Sequence, residues 1–227
     1  KSDGVINLFS DIKEEFSLFD PKFLQEVANM KEKNLAVELL KKLIAEQVSV
    51  YRRTNIVKSE KFSEIMQRAI NAYLNGMLTN EEVIEEMLKL AKQITVDQKE
   101  GDKLGLTADE LAFYDALTKP QAIKDFYENE ELIAITKELA DTLRRNKTID
   151  WQKRESARAK MRMLIKKLLK KHKYPPEGMD DAVQTVMTQC ELWTDNYNFE
   201  EKGKVYSYIN HAEKTLPLVA EDIGKYD

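Results

Sequence analysis

Thirteen lysines and arginines crowd residues 144–173 against only Asp150 and Glu155, a local charge of +11 in a chain of net charge −4. The rest of the chain therefore carries −15. Wound into a helix of about 3.6 residues per turn, Ala157, Met161, Leu164, Ile165, Leu168 and Leu169 fall on one arc. Lys153, Lys160, Arg162, Lys166, Lys167, Lys170, Lys171 and Lys173 fall outside it. Such a face can neutralise phosphates and release their counterions, which makes binding salt-dependent. It suits an acidic protein partner equally well, and it also describes a solvated face or one covered by acidic segments of the same chain. No aromatics interleave the lysines, so stacking on single strands is unsupported.

Other chemistry is sparse. A phosphate-binding loop needs a glycine, four residues and then Gly-Lys-Ser/Thr, so that backbone amides cradle the phosphate; around Gly203-Lys204 the first glycine is replaced by Asn198 and the last position is Val205. Two histidines, His172 and His211, and one cysteine are too few for the usual zinc sites or a disulfide framework. The acid pairs Glu81-Glu82, Glu85-Glu86 and Asp180-Asp181 sit in Lys-rich helical stretches and read most simply as solvated faces. His172 lies among lysines and reads as a surface residue. Cys190 sits among Val183, Val186, Met187 and Trp193 and reads as a buried, inert thiol. No catalytic or metal-binding set is assigned.

Arg154 and Arg158 differ from the other cations. Their spacing puts them within or beside the apolar arc, near the angular position of Trp151, which predicts partial burial. A buried guanidinium needs a partner. Glu191 and Asp115 are candidates, for an internal ion pair or for a contact shared with a partner.

These residues must be positioned by helices. Seven Gly and five Pro are about half the usual share, while 33% of residues are charged and 42% apolar. Turn-rich folds and disorder are both disfavoured. Asp20-Pro21 opens a helix that the spacing of Phe23, Val27, Met30, Leu35, Leu39, Leu40, Leu43, Ile44 and Val48 predicts to run to about Arg53. Ser59 is the expected cap of the next, which ends at Asn75-Gly76. Thr79 with Glu82, and Thr107 with Glu110, have capping-box spacing. Lys119-Pro120 ends or bends the helix begun at Thr107. Further helices are expected over 128–146, from a cap at Asp150 to about Lys173, and from Met179 to Trp193. The polar stretch 97–105, with two of the seven glycines, is the expected domain junction. The chain thus reads as all-α, a multi-helix bundle of two helical subdomains, 1–103 and 104–196, followed by a weakly helical tail over 197–227.

Several ordered segments resemble one known family. They are Thr107-Ala-Asp-Glu-Leu-Ala-Phe-Tyr-Asp-Ala-Leu117, Asn146-Lys-Thr-Ile-Asp-Trp151 with Arg154-Glu-Ser-Ala-Arg-Ala159, Tyr174-Pro-Pro176 and Gln189-Cys-Glu191. Earlier in the chain stand Phe16-Ser-Leu-Phe-Asp-Pro-Lys-Phe23 and Asn80-Glu-Glu-Val-Ile-Glu-Glu86. Over residues 1–196 the chain resembles the C-terminal helical region of the restriction (R) subunit of type I restriction-modification enzymes, with Cys190 where Ala is the expected residue. The resemblance implies a parent enzyme that translocates double-stranded DNA with ATP and Mg and cuts it, acting as a site-specific deoxyribonuclease. That enzyme works in complex with methylation and specificity subunits. Nuclease and motor precede this region in the family, so no catalytic activity and no cofactor are expected here.

The resemblance further implies an assembly module docking the motor subunit onto the methyltransferase core, with Asp150, Trp151, Arg154, Glu155 and Arg158 as the matched docking candidates. Its alternative is a helical clamp that contacts double-stranded DNA through the basic 144–173 element. No apolar run reaches the roughly 18 residues needed to span a bilayer, and the start, Lys1-Ser2-Asp3-Gly4, resembles no secretory signal. The expectation is a soluble, cytoplasmic piece of a longer protein, without membrane partners.

Overall fold

The computed structural model describes residues 17–119, 121–148 and 151–215, with side chains described within these ranges except at 121, 122 and 196–215. The described residues are all-α and contain no strand. Asp20 caps α1 (Pro21–Ala28), its carboxylate accepting from the Lys22 amide at 2.9 Å. The single helix expected from Asp20 to Arg53 is broken. Asn29 closes α1, Lys33 Nζ donates to the Ala28 carbonyl at 3.0 Å, and α2 (Lys33–Thr54) begins afresh. The apolar rhythm passes through the break because α1 and α2 bury their apolar sides in the same core.

Asn55 ends α2 and starts α3 (Ile56–Leu74). Its amide donates to the Tyr51 carbonyl at 2.8 Å while its Oδ1 accepts from the Lys58 amide at 3.1 Å. Ser59, the expected cap, is instead buried within the first turns of α3. That helix ends as expected at Asn75-Gly76. Gly76 takes a left-handed φ of 69°, and Met77 N donates back to the Ala72 carbonyl at 2.8 Å, a Schellman closure. The Thr79 capping box forms and opens α4 (Asn80–Gln98). Helices α2, α3 and α4 pack around Leu40, Ile44, Phe62, Met87 and Ile94, with α1 against α4.

The polar 97–105 stretch is mostly helical rather than an open linker: α4 runs to Gln98 and α5 (Glu100–Leu104) follows at once. Gly101 packs closely there, where a Cβ would meet the Leu106 carbonyl oxygen at 3.2 Å and Leu111 Cδ2 at 3.3 Å. The Thr107 capping box opens α6 (Ala108–Leu117), every residue of which from Leu111 to Leu117 is buried. Next come α7 (Gln121–Phe126) and α8 (Asn129–Asn146).

The helix expected from Asp150 begins later. A 3-10 turn, Trp151–Lys153, precedes α9 (Glu155–Lys171), and Arg154 occupies the extended N-cap position without a side-chain cap. Asp150 itself lies outside the described residues. Burial of Trp151 holds the 3-10 turn against the core and delays the helix. After Tyr174-Pro175, α10 (Pro176–Thr215) continues well beyond Trp193; the lone Gly203 does not stop it.

Buried apolar side chains fall into two clusters, one from Leu18 to Ile94 and one from Leu106 to Cys190. A polar seam joins them. Gln189 of α10 bridges the α2–α3 junction, its Oε1 accepting from the Ile56 amide at 2.9 Å and its Nε2 donating to the Thr54 carbonyl at 2.8 Å. Asn55 Nδ2 donates to Asp115 Oδ2 at 2.7 Å. Lys58, only 4% exposed, donates to the Asp97 carbonyl at 2.8 Å and stands 3.7 Å from Asp115 and 3.5 Å from Glu100. Burial pushes the Asp115 carboxyl above its ordinary range, with Lys58 and Asn55 pulling it back.

Candidate interaction surface

Helix α9 buries Met161, Ile165, Leu168 and Leu169, with Ala157 and Leu164 half-buried beside them. The arc expected to face inward does so. Lys160, Lys166, Lys167, Lys170 and Lys171 are exposed on the opposite side, Arg162 is partly exposed, and Lys153 and Lys173 are exposed at the two ends of the element. Lys173 turns the chain with a left-handed φ of 57°, directing Tyr174 N back to the Leu169 carbonyl at 2.9 Å.

Among the described residues, acids of the same chain meet only part of this face. Lys166 pairs with Asp180 at 2.8 Å, Lys171 with Glu138 at 2.6 Å, and Arg162 with Glu155 at 3.2 Å. His172 Nε2 lies 2.7 Å from the second Glu138 oxygen, a surface position as expected. Lys171 and His172 hold the Glu138 carboxyl below its ordinary range, and Lys166 does the same to Asp180. These pairs are solvent-exposed and screened, so each adds little to stability. Among the described residues, Lys160, Lys167 and Lys170 have no carboxylate partner. Ala159, Arg162, Met163, Lys166, Lys167 and Lys170 line a shallow groove along the helix, with Met163 61% exposed at its centre. Met163 was not singled out by sequence reasoning. The available signal was an apolar residue on the polar side of the wheel.

The candidates for partner docking take different places. Trp151 is 1% exposed, and its Nε1 donates to Thr194 Oγ1 at 3.1 Å. Gln152 Nε2 donates to the Glu191 carbonyl at 3.0 Å and to Asp195 Oδ1 at 3.1 Å. Arg158 is partly buried as expected and pairs with Glu191. Asp115, the other candidate for that arginine, is engaged by Asn55 and Lys58 instead. Arg154, expected to be partly buried, is exposed, because the 3-10 turn shifts it out of the helical register that its spacing implied. Glu155 is exposed and engaged with Arg162. Trp151 and Arg158 therefore tie the 3-10 turn and α9 to α10. Lys147 and Arg144 lie over the Trp193 ring, 4.3 and 5.9 Å from its centroid, and Phe113 meets that ring edge-on.

Potentially reactive groups are built into the scaffold. Cys190 is fully buried, and burial pushes its thiol up to about 12. Glu82 closes a capping box, and Glu85 and Glu86 share Lys89. Among the described residues no group of three or more His, Cys, Asp or Glu is placed to hold a metal ion, and no helix is long and apolar enough to cross a membrane.

Residues 1–196 match the family model described as Type I restriction enzyme HindI endonuclease subunit-like, C-terminal. The chain is 39% identical over 193 residues to the Type I restriction enzyme HindI endonuclease subunit of Haemophilus influenzae, covering 84% of this chain and 18% of that protein. It is 33% identical over 178 residues to the Putative type I restriction enzyme MjaIXP endonuclease subunit of Methanocaldococcus jannaschii, covering 78% and 16%. The chain thus spans less than a fifth of the length of these curated relatives. No solved structure matches it significantly. The match over 1–196 takes in both apolar cores and the basic helix, and by it the chain belongs to the C-terminal region of the type I restriction enzyme endonuclease subunit family.

Proposed function

We propose that this region is a non-catalytic helical assembly module, which docks the ATP-dependent DNA-translocating and cutting subunit onto the methyltransferase core of methylation and specificity subunits. The observation that carries the reading is the tie around Trp151. Residues of the family-matched segment bury an indole and pair Arg158 with Glu191, and so tie α9 to α10 with its cationic side outward. A pre-positioned helix face suits association with another protein, because less conformational freedom is lost on binding. ATP and Mg belong, on this reading, to the motor upstream, and the complex works in the cytoplasm. The test deletes residues 104–196 from the full-length subunit and measures binding to the methylation–specificity complex. Loss of binding is expected; retention overturns the proposal.

A second reading has its own support. Lys160, Lys167 and Lys170, without carboxylate partners among the described residues, suit a clamp that touches double-stranded DNA during translocation. Reversing the charge of Lys166, Lys167, Lys170 and Lys171 then weakens duplex binding and flattens its salt dependence. An unchanged salt slope defeats the clamp.

A further inference from the structure

We infer that the outer face of α9 from Ala159 to Lys170 is the docking surface for an acidic, amphipathic helix of the methylation subunit, with Met163 as its apolar anchor. The inference rests on the docking reading above and specifies the surface and its partner chemistry. On the helix surface Ala159 and Met163 are four residues apart and form a short apolar spine. Lys160 and Lys167 flank it on one side, Arg162 and Lys166 on the other, and Lys170 closes one end. The groove they line extends about 16 Å along α9, or three helical turns, and accommodates a partner helix of similar length.

Charge decides the sign of that partner. The face lies within the +11 element, three of its cations lack carboxylate partners among the described residues, and Lys166 holds only the highly exposed Asp180, whose side chain is 89% exposed. An incoming carboxylate displaces that contact at little loss. The apolar spine decides the class of partner. Protein interfaces place an apolar contact at the centre and charges at the rim, and methionine adapts readily to a partner's side chains. A sugar–phosphate backbone has no use for an exposed thioether at the centre of the face, whereas an acidic helix with one apolar stripe matches both features.

The experiment uses the full-length subunit and, as probe, the methylation–specificity complex of the same system. Met163→Glu and the triple variant Lys160→Glu/Lys167→Glu/Lys170→Glu are each expected to weaken binding at least about tenfold, and the triple variant also to flatten the salt dependence. Met163→Leu and the triple Lys→Arg variant are expected to bind as the parent does. All substituted positions are exposed, so helix content and unfolding midpoint stay at parental values. Unchanged binding by both charge variants overturns the inference. If deletion of 104–196 still abolishes binding in that case, the docking reading survives and only the α9 surface is wrong; if the deletion binds normally, both fall. Loss of duplex affinity with intact binding to the complex overturns the inference in favour of the clamp. Altered self-association of the subunit with intact binding to the complex overturns it in favour of a second copy.

Discussion

Lys58 is an ammonium held almost out of solvent, and the buried carboxylate it faces is Asp115, itself 8% exposed, with the more exposed Glu100 also beside it. Removing one member of a buried pair leaves the other charge uncompensated, so Lys58→Met is expected to destabilise the protein by about 3–5 kcal/mol. Lys58→Met combined with Asp115→Leu is expected to be less harmful than Lys58→Met alone, in urea unfolding. The pH dependence has a definite direction. Burial raises the folded pKa of Asp115 above its ordinary 3.8, so the folded state binds that proton more tightly than the unfolded state does. Asp115 therefore takes stability away as pH rises from about 3.8 through its folded pKa, and loss of Lys58 enlarges that fall. The deficit of Lys58→Met relative to the parent should grow between about pH 4 and pH 7. An equal deficit at both would show that Asp115 is not the group left uncompensated. Cys190 gives a second prediction. Fully buried and with its thiol pushed up to about 12, it should react with an aromatic disulfide reagent only as fast as the protein opens. Rapid labelling under native conditions would contradict its placement.

At the scale of elements, stability at helix starts is local, and so was its legibility. The Thr79 and Thr107 boxes were readable because each uses residues three apart, and Thr79→Ala or Thr107→Ala should each lower stability by about 1 kcal/mol in chemical denaturation. A change near zero would mean that water replaces the cap without loss. The sidedness of α9 was readable for a related reason: its amphipathic period alone assigns Met161, Ile165, Leu168 and Leu169 to the core. What escaped depended on residues distant in sequence. Asn55 replaces Ser59 as a cap because its side chain serves the α3 amide and the distant Asp115 together. The 3-10 turn at Trp151 exists because α10 supplies Thr194 to the indole 43 residues later, and no local rule announces that. Arg154 was misplaced by the same turn. The site was legible as a charged face, while Met163 was not, because one apolar residue among lysines leaves the amphipathic period of the helix unchanged.

At the scale of the whole molecule, two apolar cores meet across a polar seam, and the placement of tryptophan makes that seam measurable. The chain has two tryptophans, Trp151 and Trp193, and both belong to the second core or pack against it. Intrinsic fluorescence therefore follows unfolding of the second core, whereas far-ultraviolet circular dichroism follows helices in both. In the parent protein the seam couples the cores through Gln189, which serves both a donor and an acceptor of the α2–α3 junction, and through Lys58 beside Asp115. The two signals should then share one midpoint, as cooperative unfolding requires. Gln189→Ala removes both bridging hydrogen bonds and leaves the Ile56 amide and Thr54 carbonyl without that partner, at about 1–3 kcal/mol for each group that stays buried. Added to Lys58→Met, it is expected to separate the transitions, with the circular dichroism curve broadened and its midpoint displaced from that of fluorescence. Because the seam residues do not touch the outer face of α9, binding by the folded double variant should remain at the parental level under conditions where fluorescence reports a native second core. Coincident midpoints in the double variant would mean that apolar packing of α6 and α10 against α2 and α3 suffices to make the two cores one cooperative unit.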